Sequence, residues 1–169
     1  DVMKYFNRFG IKANYTYTHS KITTAKLREL TAADGSIYTD YADQSRPLFG
    51  QAAHVFNASL LYKDSKRGWD AQVAGSYTGK RIAVIDRFYQ NDRWDAPLWQ
   101  LDASAEKKFK GGWSVFVKAQ NLLNTSLIRY YNANDRNASL PNVRRYDGGV
   151  VEREEKNGVS LTAGIRWKL

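Results

Sequence analysis

The chain has 169 residues, a formal net charge of +9 at pH 7, no cysteine and an aromatic content of 14%. Without cysteine it cannot form a disulfide scaffold or a thiolate metal site, and none of its apolar runs approaches the ~20 residues of a membrane-spanning helix. The basic residues are spread along the sequence instead of forming one block, so we expect no nucleic-acid partner. The sequence starts at Asp1 and carries no signal peptide, so we expect either a removed leader or the C-terminal piece of a longer protein.

Alternation of apolar and polar residues predicts six β-strands, because successive side chains on a strand point to opposite faces. Residues 1–8 are expected to hold the end of a preceding strand and a turn at Asn7-Arg8. The six predicted strands cover residues 9–20, 54–63, 69–78, 99–109, 113–131 and 158–169. The fold class expected from this spacing is all-β, without helices.

The connections between these strands alternate between long and short. The long polar connections are residues 23–51, 83–97 and 132–157. The short turns are residues 64–68 and 110–112. Bacterial outer-membrane barrels have short periplasmic turns and longer extracellular loops, whereas a water-soluble sandwich has no reason to sort its loops by length. We therefore expect an antiparallel transmembrane β-barrel segment. Within the first long connection, Asp34-Gly35 marks a turn.

Each predicted strand has one apolar and one polar face. The side chains expected to face lipid include Ala13, Leu60, Val73, Leu101, Val117 and Leu161. The side chains expected to face the barrel lumen include Lys12, Asn57, Gln72, Asp102, Glu106, Lys118 and Arg166.

Aromatic residues of the apolar face gather near both ends of the strands. The predicted periplasmic girdle is Phe9, Tyr62, Trp69, Phe109, Trp113 and Trp167. The predicted outer set is Tyr17, Phe56, Tyr77, Trp99 and Tyr131. Eight to ten residues separate the two levels, which at ~3.3 Å per residue and a tilt of ~40° gives about 20–25 Å. The apolar band of a membrane barrel is about 25 Å tall. An aromatic core in a water-soluble sheet would explain the alternation but not the two levels.

Two stretches of the last strands carry further expectations. Asn121 has the parity of the lipid face, where an unbonded polar group is costly, so a bulge or bend is expected near Asn121–Asn124. The terminal strand should pair with the strand beginning at Trp113 and act in barrel assembly. In this strand Trp167 and Leu169 are expected to face lipid, and Gly164 is expected to face the lumen. Eight strands is the usual minimum for a membrane barrel, so the other edge needs a partner outside these six strands. A small barrel built from several copies is the alternative.

Four stretches together resemble the C-terminal part of TonB-dependent outer-membrane receptors, especially those of Bacteroidetes. They are Phe9–Thr18 (FGIKANYTYT), Tyr77–Ile82 (YTGKRI), Asn121–Asn124 (NLLN) followed by Tyr130, and the terminal amphipathic strand. In this family the terminal strand normally ends in Phe, where this chain has Leu169.

The resemblance implies that residues 1–169 are about the last six strands of a 22-stranded barrel, with the plug domain and earlier strands absent from this chain. It implies a receptor in the bacterial outer membrane that takes up a scarce nutrient, such as an iron–siderophore, haem, cobalamin or a glycan, with energy supplied through TonB. The implied partners are outer-membrane lipid, the rest of the barrel and plug, the TonB complex, the outer-membrane insertion machinery, a surface lipoprotein and a small ligand.

No catalytic constellation, metal site or cofactor motif is present in the sequence, so we do not expect an enzyme. His19 and His54 are interpreted as surface histidines near the outer ends of their strands. Asp102 and Glu106 lie ~13 Å apart on one strand face, beyond glycosidase separations, and are expected to join Lys118 in a lumen network. The candidate ligand-binding residues of the extracellular loops are Arg87, Tyr89, Trp94, Arg144 and Arg145, which could meet an anionic or planar ligand. A passive pore or structural barrel is an alternative function. A barrel enzyme is a further, less favoured alternative.

Overall fold

The computed structural model describes residues 2–132 and 140–168, and all the regular secondary structure in them is β-strand. Three antiparallel sheets contain these strands. Within the described residues no helix is long and apolar enough to cross a membrane.

The largest sheet has seven strands in the order β1-β2-β5-β6-β9-β10-β14. Their bounds are β1 Val2–Phe6, β2 Phe9–Tyr17, β5 His54–Asp64, β6 Trp69–Thr78, β9 Leu98–Lys108, β10 Trp113–Gln120 and β14 Ser160–Trp167. Each predicted strand is present in this sheet, and β1 with the turn at Asn7-Arg8 is the expected preceding strand. The turns at 64–68 and 110–112 lie at one end of the sheet, as predicted, because every neighbouring pair is antiparallel.

The register of this sheet confirms the predicted grouping of side chains into two faces. One row of directly paired residues is apolar from β2 to β14, and it consists of Ile11, Leu60, Val73, Ala103, Ala119 and Leu161. The neighbouring row on the other face runs from Leu61 through Gln72, Ser104 and Lys118 to Thr162. Leu60 and Leu161 are 61% and 72% exposed. The apolar face is therefore uncovered by any other part of the described chain.

The second sheet has five strands in the order β12-β13-β11-β8-β7, and the third is the hairpin β3-β4. The bounds of the second sheet are β7 Arg81–Val84, β8 Arg93–Asp95, β11 Leu127–Tyr131, β12 Arg145–Tyr146 and β13 Gly149–Glu155. The hairpin is formed by β3 Ile22–Thr31 and β4 Ile37–Arg46. The three long connections, which the sequence pattern left without strands, hold most of these seven. Asp34-Gly35 lies in the hairpin turn, where Gly35 has a φ of 85° and its N–H donates to Ala32 O.

The predicted fifth strand, residues 113–131, is wrong in length because the chain bends after β10. Asn121 and Asn124 have φ values of 54° and 50°, in the left-handed region that Asn tolerates better than most residues. The Asn121 amide donates to Gly158 O at 2.8 Å and its Oδ1 accepts the Thr125 N–H at 3.0 Å. These bonds satisfy the Asn121 side chain and direct β11 into the second sheet, so the expected bend is confirmed.

Four connections join the second sheet to the first, and two of them are only two residues long. Gly79 and Lys80 separate β6 from β7, and Ala96 and Pro97 separate β8 from β9. The Gly79 N–H donates to the His54 carbonyl at 2.8 Å, and the Ala96 N–H donates to the Ile128 carbonyl at 2.8 Å. Both linkers are thus tied to neighbouring strands.

The seven-stranded sheet is open at both edges. In the described residues β1 pairs with β2 alone and β14 with β10 alone, so no closed barrel is formed. The buried apolar side chains of the described chain are Ala52, Ile82 and Tyr130, which lie outside this sheet. Tyr130 packs its ring 5.1 Å from that of Tyr146, and burial raises the pKa of the Tyr130 hydroxyl to about 12.

Candidate functional site

The aromatic residues near the short turns pack beside one another on the apolar face. The rings of Phe9 and Tyr62 are 5.1 Å apart, and those of Trp113 and Trp167 are 5.8 Å apart and nearly parallel. Phe9 and Trp167 remain 62% and 61% exposed. Leu169, the last member of the predicted terminal set, lies outside the described residues.

Lys107 shares the apolar face with these aromatic residues. Its ammonium lies 5.0 Å from the Trp69 ring centroid and 5.9 Å from that of Phe109. It also donates a hydrogen bond to the Arg67 carbonyl in the adjacent turn. A lysine can extend its charge toward water while its methylene stem stays on apolar surface, so Lys107 places a cation at the level of the aromatic rings.

A second aromatic level lies toward the far ends of the same strands. The rings of Tyr77 and Trp99 are 4.5 Å apart. His54, interpreted from sequence as a surface residue, lies between two tyrosines: its Nδ1 is 2.8 Å from the Tyr15 hydroxyl, and its ring is 5.2 Å from that of Tyr17. From β2 to β14, the described residues place no charged side chain on the apolar face between the two levels.

The polar face carries charged groups grouped around Phe116. Arg166 Nη1 lies 3.4 Å from Glu106 Oε2. The Arg166 guanidinium also stacks on the Phe116 ring, with its Cζ 4.4 Å from the ring centroid. Lys118 Nζ lies 5.8 Å from the same centroid. A Cβ added to Gly164 would lie 2.7 Å from Phe116 Cζ, so glycine is needed for the ring to occupy this position.

Asp102 does not join that group of charges in the structure. Its Oδ1 accepts the Asn121 N–H at 2.9 Å and thereby supports the bend after β10. Lys12 lies further along the same face, exposed and in register with Ser59. The predicted lumen residues share one face, but the structure brings only Glu106, Lys118 and Arg166 together.

The β3–β4 hairpin is attached to residues 85–92, which lie between β7 and β8. Lys26 Nζ is 2.5 Å from Asp92 Oδ1, and Gln44 Nε2 donates to Asp92 Oδ2 at 3.0 Å. Two backbone bonds add to the attachment, from the Leu27 N–H to Arg87 O at 3.0 Å and from the Tyr89 N–H to Leu27 O at 2.8 Å. The sequence pattern missed this contact. An Asp-Gly turn flanked by residues with high strand propensity is a hairpin signal that could have indicated it.

A crevice of about 380 Å³ lies beside this attachment, and we call it the loop crevice. Two of the predicted ligand-binding residues, Tyr89 and Trp94, line it together with Arg46 of β4. The Nε of Arg46 is buried and has no hydrogen-bond partner in the described residues. Aromatic rings beside a guanidinium and several polar groups can hold a planar or hydroxylated ligand.

The three other predicted loop residues lie elsewhere. Arg87 is exposed with its guanidinium 4.8 Å from the Phe88 ring. Arg144 is paired with Glu154. Arg145 donates to the carbonyls of Gly148 and Leu140 at 3.2 and 3.0 Å. These arginines are therefore engaged in local contacts and do not line the loop crevice.

No group of three or more His, Asp or Glu side chains in the described part of the chain is arranged to hold a metal ion. Comparison of the chain with protein-family models, with curated proteins and with solved structures found no match.

Proposed function

We propose that the chain forms part of the β-barrel of a TonB-dependent receptor in the bacterial outer membrane. Such a receptor takes up a scarce nutrient, of the iron–siderophore, haem, cobalamin or glycan kind, with energy supplied through TonB. The observation that carries the proposal is the exposed apolar face of the seven-stranded sheet. It has aromatic residues at two levels and no charge between them from β2 to β14 in the described chain.

The residue types on that face are suited to contact with lipid. Tyr and Trp are suited to a membrane interface because their rings are apolar while an O–H or N–H stays hydrated. Large contiguous apolar patches on a protein surface mark sites that are covered by a membrane or by another protein. Lys107 fits the same arrangement, because its ammonium lies at the aromatic level nearest the short turns.

The arrangement of the connections supports the orientation of the proposed barrel. Turns of a few residues join the strands at one end, while the β3–β4 hairpin and the five-stranded sheet follow the other end. In outer-membrane barrels the short turns face the periplasm and the long loops face the exterior. We therefore propose that the loop crevice faces the outside, where a ligand would arrive.

The open edges of the sheet support membership in a larger barrel. Unpaired N–H and C=O groups inside hydrocarbon cost several kcal/mol each, so membrane sheets close upon themselves. The free edges of β1 and β14 would then pair with further strands, in a barrel closed around a plug domain. We propose no catalytic role for the chain.

The first experiment tests location and orientation with the full-length protein in its bacterial host. One variant carries an epitope tag at Gly35 in the hairpin turn, and a matched control carries it at Gly111 in a short turn. On intact cells an antibody should label the Gly35 tag and not the Gly111 tag, whereas permeabilised cells should show both. Labelling of the Gly111 tag alone on intact cells, or recovery of the protein outside the outer-membrane fraction, would contradict the proposal.

A second measurement separates a plugged receptor from a passive pore. The purified full-length protein is reconstituted in a planar lipid bilayer, with a general porin as the positive control. A receptor whose lumen is filled by a plug should carry no steady ionic current. A stable open-channel conductance comparable to that of the porin would favour the passive-pore alternative.

A further inference from the structure

One face of the second sheet carries a row of charged residues. Arg81, Asp95, Arg129 and Arg153 are directly paired in register across β7, β8, β11 and β13. Asp95 Oδ2 lies 3.5 Å from Arg81 Nε, and Asp95 Oδ1 lies 2.9 Å from Arg129 Nε. The Asp95 carboxylate thus forms ion pairs with two guanidinium groups.

The other half of the row places two arginines opposite each other. Arg129 and Arg153 are direct register partners. Like charges directly opposed on a sheet are destabilising. Glu155, two residues along β13, lies 3.0 Å from Arg153 and offsets part of this repulsion.

These residues line a pocket of about 220 Å³, which we call the arginine pocket. Three arginines and two carboxylates line it, Arg81, Arg129 and Arg153 against Asp95 and Glu155, which leaves a net charge of +1. Leu98 and Leu127 form an apolar part of its wall. Arg153 and Arg81 are 55% and 47% exposed in their side chains, so a ligand can reach them from solvent.

We propose that the arginine pocket binds the carboxylate of a small ligand whose adjoining part is apolar. Arg129 and Arg153 are directly opposed in register, and guanidinium N–H groups can donate to both oxygens of one carboxylate. The net charge of +1 suits one carboxylate, whereas a phosphate monoester carries about −1.5 to −2. The leucine wall receives the apolar part of the ligand.

The size of the pocket limits what it can enclose. Pockets for drug-sized molecules measure about 300–1,000 Å³, so the arginine pocket takes an end group or a small acid and not a large ligand whole. For the receptor proposed above, this gives the chemical class of one part of the transported molecule. In that respect alone the inference rests on the proposed function.

The test uses the full-length protein purified in detergent micelles, with three probes followed by ligand-observed NMR and calorimetry. Benzoate has a carboxylate on an apolar ring, benzamide is its neutral analogue, and inorganic phosphate is an anion without an apolar part. Benzoate should bind. Benzamide should bind at least about tenfold more weakly, because it lacks the charge-assisted hydrogen bonds. Equal binding of benzoate and benzamide, no binding of benzoate, or tighter binding of phosphate would overturn the proposal.

Three variants locate the binding. Arg153→Gln should weaken benzoate binding about tenfold. Glu155→Gln should strengthen it, because it removes the carboxylate that competes for Arg153. Arg28→Gln is the control, since Arg28 lies on β3 and pairs with Asp40 outside the pocket. If Arg153 serves only the sheet, Glu155→Gln will not strengthen binding, and that outcome also overturns the proposal.

The fold of each variant is checked by the difference in gel mobility between unheated and heated samples. Loss of binding is then assessed only for variants that are folded. Because binding is measured in micelles, it does not depend on transport or on TonB. A protein that is found in the outer membrane but does not bind benzoate refutes the arginine pocket and leaves the receptor proposal standing.

Discussion

Lys26 and Asp92 form a buried ion pair between two separate connections of the chain, with side chains only 3% and 2% exposed. Asp92 also accepts the Asp86 N–H at 2.8 Å and the Gln44 amide at 3.0 Å. A buried carboxylate with this many donors is well satisfied, but it depends on all of them. The pair is therefore a main part of the attachment of the hairpin to residues 85–92, beside the two backbone hydrogen bonds of Leu27.

Replacing Lys26 with Met should detach the hairpin, because it leaves Asp92 as an unpaired buried charge. Removing one partner of a buried ion pair typically costs about 3–5 kcal/mol. The amides of Leu27 and Tyr89, which form the backbone bonds of the attachment, should then exchange with deuterium much faster, while those of β5 and β6 stay protected. Lys21→Met, at an exposed lysine just before β3, is the control. Unchanged protection of both attachment amides in Lys26→Met would contradict this role.

The hairpin should also respond to acid through Asp40. Arg28 donates to both carboxylate oxygens of Asp40, at 3.1 and 2.7 Å, and these hydrogen bonds and the charge attraction hold the pKa of Asp40 below its ordinary value. Because this pKa is depressed on folding, the pair contributes stability above the unfolded-state pKa and loses it as pH falls through the folded-state pKa. Both side chains are partly exposed, so the effect is small.

NMR titration of the Asp40 carboxyl carbon measures this shift. In Arg28→Gln the pKa of Asp40 should rise toward its ordinary value, and in Lys21→Gln it should stay depressed. An Asp40 pKa that is the same with and without Arg28 would show that the ion pair is not formed in solution.

Gly164→Val should weaken the pairing of β14 with β10, because its side chain would meet the Phe116 ring. Overpacking of this kind costs about 1–3 kcal/mol, measurable as a lower midpoint of urea unfolding in lipid vesicles. Phe116→Ala combined with Gly164→Val should recover part of the loss, since the obstructing ring is gone. Ala163→Val, on the exposed apolar face, is the matched control. Equal effects of Gly164→Val and Ala163→Val would argue against the contact with Phe116.

Val117→Arg tests the medium that covers the apolar face. Val117 is 41% exposed and lies between the two aromatic levels. An arginine at the midplane of a membrane barrel costs about 2–4 kcal/mol, so the free energy of unfolding in lipid should fall by that amount. Thr162→Arg, on the polar face of β14, should cost far less. An unfolding cost near zero for Val117→Arg would contradict the assignment of this face to lipid.

The sequence could predict the strands of the seven-stranded sheet because one of their faces is apolar and the other polar. Period-two alternation then determines both the strand and the direction of its side chains, as for Val73 and Gln72. The hairpin lacks this signal, since residues such as Thr23, Lys26 and Asp40 carry polar groups toward both sides. Its strand propensity and its Asp-Gly turn were the remaining indications.

The binding surfaces were less accessible to sequence reasoning. Tyr89 and Trp94 were predicted and do line one crevice, but their partner Arg46 comes from a strand that the sequence pattern did not reveal. The arginine pocket depends on the pairing of β8 with β11 and of β11 with β13, strands that lie far apart in the chain. Local patterns do not determine such distant pairings, so no alternation rule could have placed Arg129 opposite Arg153.

The two shortest of the four connections between the sheets limit how the five-stranded sheet can move. A hinge needs residues whose φ and ψ are free to change, and Pro97 has a fixed φ and no N–H. Gly79 and Ala96 are held by hydrogen bonds to the carbonyls of His54 and Ile128. At these two connections the five-stranded sheet is a stiff extension of β6 and β9, and it should tilt with the seven-stranded sheet instead of closing over a ligand as a flap. Motion that captures a ligand would have to come from the β3–β4 hairpin, whose attachment depends on Lys26 and Asp92.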